Sequence, residues 1–204
     1  MEQVIKPTKE KVADTAVQLF YTKGFHGTSV RDIAKKASVN VSMISYYFKN
    51  KQGLLEYLVV RYYEEYLDVV EQQIFERNLH EDVSDFLYLI DAIIQYKQKH
   101  HQFTCFIQRE LSFDNMFIRE LLVTYLAKEQ YLLQNAFYSI LPDFAYTVIE
   151  KECLYMQFKG LLNIPFLMPH EWKQNVQGNY SEQAYLSTYI QMLKNWLSTV
   201  WTIS

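Results

Sequence analysis

Apolar positions along this chain recur at intervals of three and four with polar positions between them, the repeat of an amphipathic helix. Ala13, Ala16, Val17 and Phe20 share one face, behind Pro7 and a capping Thr8, and Gly24 stops the run. Glu10 falls in the first turn, where the helix dipole favours a carboxylate. A second short helix is predicted over 29–37, with Thr28 as its cap and Val30, Ile33, Ala34 and Ala37 inward. Lys35 and Lys36 complement the dipole in its last turn. Asn40 caps a third, over 41–47, whose buried side is marked by Ile44 and Phe48. Short helices separated only by Ser38-Val39-Asn40 have helix-turn-helix spacing.

A fourth helix is predicted over 52–77, with Leu54, Leu55, Leu58, Tyr62, Tyr66, Val69 and Val70 as its stripe. At its rise per residue it would be about 35–40 Å long, enough to link a small head to a separate body. Further helices are expected over 82–100, 103–112, 116–140, 143–163 and 181–202, the last capped by Ser181. Breaks are expected near His100-His101, Asp114-Asn115, Leu141-Pro142 and across 165–179. No segment alternates with the strand period, and no internal repeat or low-complexity tract occurs. The expected fold is all-α: a helix-turn-helix domain over 1–51 and a helical regulatory and dimerisation domain over 52–204.

Composition agrees with a few long elements, since 204 residues contain only 5 Gly and 4 Pro. The two cysteines, Cys105 and Cys153, lie far apart and form neither a disulfide framework nor a zinc motif. No apolar leader is visible at the start, and the most apolar stretch, 160–168, is interrupted by Asn163 and Pro165. It falls short of the roughly 20 residues a bilayer span needs, so a soluble, cytoplasmic protein is expected. Net charge is −3, but residues 1–60 hold nine Lys/Arg against five Asp/Glu. A basic head on an acidic body suits a molecule that offers only its head to a polyanion.

The informative stretch is 23–55. It holds Gly24-Phe25-His26-Gly27-Thr28-Ser29, then Ile33-Ala34, then Tyr46-Tyr47-Phe48-Lys49-Asn50-Lys51 and Leu54-Leu55, in one unbroken register. This resembles the TetR family of regulators. Gly24 and Gly27 let the chain reverse between helices, and Phe25 can plug the gap between them. With Ile44 and Phe48 inward, Ser42, Met43, Ser45 and Tyr46 point outward, Tyr47 lies on the flank, and Val41 sits at the tip. Outward residues of a recognition helix enter the major groove. The resemblance places DNA contacts at these positions and at Thr28 and Lys51; Ser29 and Asn40 are counted with them as DNA-binding residues, Asn40 being within reach of an adenine as well as a cap. Met43 suits a thymine methyl. The tyrosine hydroxyls suit phosphates, and Lys51 is a point charge for the backbone. The competing role for Thr28 and Ser29 is capping alone, and for the tyrosines packing within the head. The outward face has no Arg or Gln for bidentate base reading, so apolar contacts and DNA shape are expected to carry specificity.

The same resemblance implies a homodimer paired through its last two helices. Tyr185, Tyr189, Met192, Leu193, Trp196 and Val200 form the stripe for that face, with ordinary core packing as the competing role. Two heads would then read a pseudo-palindromic duplex site. Many family members bind a small-molecule effector. Tyr88, Tyr96, Phe103, Phe106, Phe113, Phe117, Tyr125, Tyr131, Phe137, Tyr155 and Phe158 are either pocket lining for one or simply core. A looser likeness runs into the body. Ile107-Gln108-Arg109-Glu110-Leu111, Ile118-Arg119-Glu120 and Thr124-Tyr125-Leu126 are similar to the RefZ branch of the family in sporulating bacilli. That likeness implies sites near the replication origin and FtsZ, the tubulin-like division protein, as a partner. On this reading Arg109, Glu110, Arg119 and Glu120 offer a partner surface; otherwise they are ion-paired helix edges.

An enzyme needs a positioned acid, base, nucleophile or metal. His100 and His101 are adjacent and diverge on a helix, while His26, His80 and His170 lack ligands at metal spacing. No glycine-rich phosphate loop occurs. Neither a catalytic role nor a cofactor is expected.

Overall fold

The computed structural model describes residues 7–77, 83–113, 115–142, 145–168 and 181–201. Among these every regular element is an α-helix: α1 Thr8–Lys23, α2 Val30–Ala37, α3 Val41–Phe48, α4 Lys51–Arg77, α5 Val83–Lys99, α6 His101–Ser112, α7 Met116–Ser139, α8 Val148–Leu167 and α9 Glu182–Trp201. Residues 1–6, His80, Asp114, His170 and the expected end of the last helix at 202 lie outside the described residues. No helix among the described residues is long and apolar enough to cross a membrane.

The chain packs as two compact units, Met1–Glu65 with His100–Val123, and Tyr66–Lys99 with Thr124–Ser204. The first holds more than the helix-turn-helix, because α6 packs along α1. Phe106 lies parallel to Phe20 at 5.5 Å, and Phe117 parallel to Phe25 at 5.6 Å. Ile33, Ile44, Leu54 and Leu55 complete that core. Arg109 is the polar part of the same packing. Its guanidinium donates to the carbonyls of Phe20 and Tyr21, both at 2.9 Å, closing the end of α1. Glu110 is buried and accepts from Asn115 Nδ2 at 2.8 Å. Both of these expected partner-surface residues are thus engaged within this unit, Glu110 buried and Arg109 half-buried. Arg119 and Glu120 are exposed.

In the second unit Phe86, Phe137 and Phe158 are fully buried, with Phe137 and Phe158 stacked at 5.0 Å. Tyr155 closes the cluster against Phe137. The aromatic residues considered as one pocket lining thus divide between two cores. Tyr88, Phe113 and Tyr131 are exposed and belong to neither.

The helix expected over 143–163 instead runs from Val148 to Leu167, opened by a capping box between Thr147 and Glu150. Pro165 was expected to end it, yet lies inside it. Proline brings no N–H, so the carbonyl four residues back, at Leu161, loses its helical donor. The Tyr189 hydroxyl from α9 donates to that carbonyl at 2.7 Å. Burial pushes this hydroxyl's pKa up to about 12, so it remains a donor across the physiological range. Tyr189→Phe should therefore lower the unfolding free energy by about 1–2 kcal/mol, read as a shift of the urea midpoint. An unshifted midpoint would mean the carbonyl needs no such partner. Ser181 caps α9 as expected, accepting from the Ala184 N–H at 3.1 Å.

Candidate nucleic-acid interface

The head presents α3 because its neighbours are locked by short contacts. Gly24 closes α1 with φ 74°, a conformation glycine tolerates best. Gly27 serves a different purpose: a Cβ there would sit 2.3 Å from the Lys23 carbonyl oxygen. Behind α3, Phe48 packs against Tyr57 of α4 at 5.2 Å. Glu10 of α1 accepts from Tyr57 at 2.9 Å and from Arg61 at 2.6 Å, while the Lys9 ammonium lies 4.1 Å from the Tyr57 ring centre. Glu10 is thus a clamp between α1 and α4 as well as a dipole partner.

The cap of α2 is Ser29, not Thr28. Ser29 Oγ accepts from the Asp32 N–H at 3.1 Å, and Asp32 Oδ2 accepts from the Ser29 N–H at 3.0 Å. The Ser29 hydroxyl also donates to Asp32 Oδ2 at 2.6 Å, and this bond, with that from the Ser29 N–H, holds the Asp32 carboxyl below its usual pKa. Thr28 is buried at 1 % exposure, and its hydroxyl donates to the carbonyls of Leu19 and Gly24. Its side chain is turned away from solvent, which corrects its expected place at the α2 cap. Ser38 then takes a left-handed conformation, φ 54°, to end α2.

Asn40 caps α3, its Oδ1 accepting from the Ser42 N–H at 2.9 Å and the Ser42 hydroxyl at 2.8 Å. Beyond the cap the helix is oriented as the periodicity requires. Ile44 and Phe48 are buried, Val41, Ser42, Ser45 and Tyr46 are exposed, and Met43 and Tyr47 are half-buried. Tyr46 is 78 % exposed, its ring edge-on to Tyr47 at 5.0 Å. An exposed aromatic on a short helix, with hydroxyl outward, suits a polyanion better than a core.

Two lysines follow α3, in contrasting situations. Lys51 donates to the carbonyls of Phe25 and Thr28, both at 2.8 Å, and its ammonium lies 4.3 Å from the Phe25 ring centre. Desolvation lowers its pKa. It ties the start of α4 to the loop before α2, so truncating it would loosen the head as well as remove a charge. Lys49 is exposed and closes α3 with φ 65° and ψ −56°. The Asn50 N–H donates across it to the Phe48 carbonyl at 2.8 Å, making a γ-turn of the strained, positive-φ kind. Such a conformation costs about 1–3 kcal/mol in a residue other than glycine. A cation at a helix C-terminus returns only about 0.3–1 kcal/mol. Nothing in the residue pattern announced this turn, because Lys carries no positive-φ signal.

Residues 12–58 match the family described as bacterial regulatory proteins, tetR family. Over 95 % of its length the chain is 37 % identical to the probable HTH-type transcriptional regulator YttP of Bacillus subtilis, and the match spans 93 % of that protein. This chain belongs to the TetR family. Over 48 residues, 24 % of the chain and 26 % of the relative, it is 38 % identical to IcaR of Staphylococcus aureus, negative transcriptional regulator of the biofilm operon icaADBC. A TetR-family regulator from Bordetella parapertussis shares the fold at a TM-score of 0.71 and 18 % identity, covering 92 % of this chain and 94 % of that one. A TetR-family regulator from Syntrophomonas wolfei does so at 0.67 and 14 %, covering 94 % and 93 %. The head described above is therefore a TetR-type DNA-binding domain, and the protein is a TetR-type transcriptional regulator.

The stripe expected to pair TetR subunits is divided in this chain. Leu193 and Val200 are 3 % and 4 % exposed and belong to the chain's own core. Met192 is 61 % exposed, while Tyr185, Tyr189 and Trp196 are half-buried. With Gly160, Leu161 and Ile164 of α8, Met192 and Trp196 line an open apolar depression of about 470 Å³.

Proposed function

We propose that this regulator binds pseudo-palindromic duplex sites as a homodimer and acts, as RefZ-type proteins do, on placement of the FtsZ ring and septum during sporulation. DNA recognition falls to Ser42, Met43, Ser45 and Tyr46 in the groove, with Ser29, Val41 and Tyr47 beside them. The exposure of Tyr46 on an otherwise anchored α3 is the observation that carries the DNA half of this reading. The apolar α8–α9 depression, lined in part by exposed Ile164 and Met192, supports pairing through those helices.

Two features support the division half. One is the likeness of 107–111, 118–120 and 124–126 to the RefZ branch. The other is the close-packed core of the second unit, where Phe86, Phe137 and Phe158 are fully buried against one another. Arg119 and Glu120, exposed on α7 beside Met116 and Val123, are the proposed surface for FtsZ. The second reading is a ligand-responsive repressor. It is favoured by Lys97, Glu129 and Asn163, polar groups that converge inside the second unit as in an effector site.

Genome-wide mapping of bound sites by crosslinking and sequencing separates the two. Sites arrayed around the replication origin, with the protein at the nucleoid, are the expected result. Sites confined to promoters, released by a small molecule, would replace it with the repressor reading.

A further inference from the structure

Lys49 stands in a conformation that a lysine has no local reason to adopt. Its γ-turn carries the chain from α3 directly into α4, and glycine would make that turn without strain. Asparagine tolerates positive φ better than lysine. The one next door, Asn50, is engaged elsewhere, its Oδ1 accepting from the Gly53 N–H at 2.9 Å to cap α4. The favourable dipole at the end of α3 is weaker than the strain. Among the described residues the Lys49 side chain has no hydrogen-bond or ion-pair partner. Lys51, by contrast, is held on two carbonyls. Strain retained at an exposed, unpartnered cation beside a recognition helix is the mark of a residue kept for what it touches.

We infer that Lys49 is a DNA-phosphate contact of this head, with Lys51 acting chiefly as an internal strap. The inference rests on the DNA-binding reading and adds to it the residue that sets salt dependence at the α3–α4 junction. A phosphate is recognised by charge, so the contact is made on any duplex sequence.

The test is fluorescence anisotropy of the full chain with a labelled mixed-sequence duplex long enough for two half-sites, across a salt series. Lys49→Gly should raise the melting temperature by about 2–4 °C as strain is relieved. It should also weaken binding about three- to tenfold and reduce the slope of log affinity against log salt by about 0.9 per subunit. Lys49→Ala, which keeps the strain, should lose the same affinity and slope without the gain in melting temperature. Lys49→Arg should restore the slope. A Lys49→Gly protein that is more stable but binds with the parent slope and affinity overturns the assignment while leaving the DNA-binding reading in place. A parent protein that binds no duplex removes that reading, and this inference with it.

Discussion

Lys97→Ala should destabilise the protein by about 3–5 kcal/mol, the largest single effect expected outside the aromatic cores. Lys97 is 3 % exposed, and its ammonium donates to Asn163 Oδ1 at 2.7 Å. Glu129, also buried, lies 3.9 Å away and accepts from the Tyr66 hydroxyl at 2.7 Å. The Tyr66 ring centre is 5.5 Å from the same ammonium. Desolvation drives the Lys97 pKa down, and the Glu129 charge pushes it partly back. Truncating the lysine leaves a carboxylate in an apolar interior with its countercharge gone, and that is where the cost arises. Replacing both charges tests the mechanism. Lys97→Met with Glu129→Gln should recover most of the loss, because an uncharged pair of similar volume has no ion to desolvate. Guanidinium unfolding of the parent, Lys97→Met, Glu129→Gln and the double variant completes the cycle. If the double variant were as unstable as Lys97→Ala, packing rather than charge would be the cause.

Tyr46→Ala should lower duplex affinity by roughly a hundredfold while leaving the melting temperature nearly unchanged. A hydrogen bond to a charged group contributes about 1.5–3 kcal/mol, and a dimer presents the tyrosine twice. The lower figure, counted twice, gives about two powers of ten. Stability should change by no more than about 0.5 kcal/mol, because the side chain is almost wholly in solvent. Tyr46→Phe separates the hydroxyl from the ring: most of the affinity should go with the hydroxyl if its partner is phosphate. A Tyr46→Ala protein that binds as tightly as the parent would remove Tyr46 from the interface.

The outward face of α3 was legible in the sequence because Ile44 and Phe48, four apart, admit only one orientation of an eight-residue helix. The cap of α2 was misread by one residue. Gly27-Thr28-Ser29 offers two hydroxyls in succession, and burial decides which one turns inward. The Ser29-x-x-Asp32 spacing was the available signal, since reciprocal bonding at that distance is a capping box. Pro165 inside α8 was not legible, because the hydroxyl that repairs the helix comes from Tyr189, 28 positions from Leu161. Arg109 reads as a surface charge on α6 until α1, 88 positions earlier, supplies the carbonyl of Tyr21. Local pattern fixes which face of a helix is wet or dry. It is silent on polar groups answered from far along the chain, and here those groups decide which charged residues are free to meet DNA or a partner.

The most direct measurement is selection of duplex fragments from the organism's own genome by the purified protein, followed by hydroxyl-radical footprinting of those retained. Retained fragments should carry two protected half-sites spaced by about one helical turn or a multiple of it, with protection lost on adding salt and in Tyr46→Ala. Failure to retain any fragment at low salt, or protection unaltered by Tyr46→Ala and Lys49→Gly together, would contradict the assignment of the α3 face to DNA.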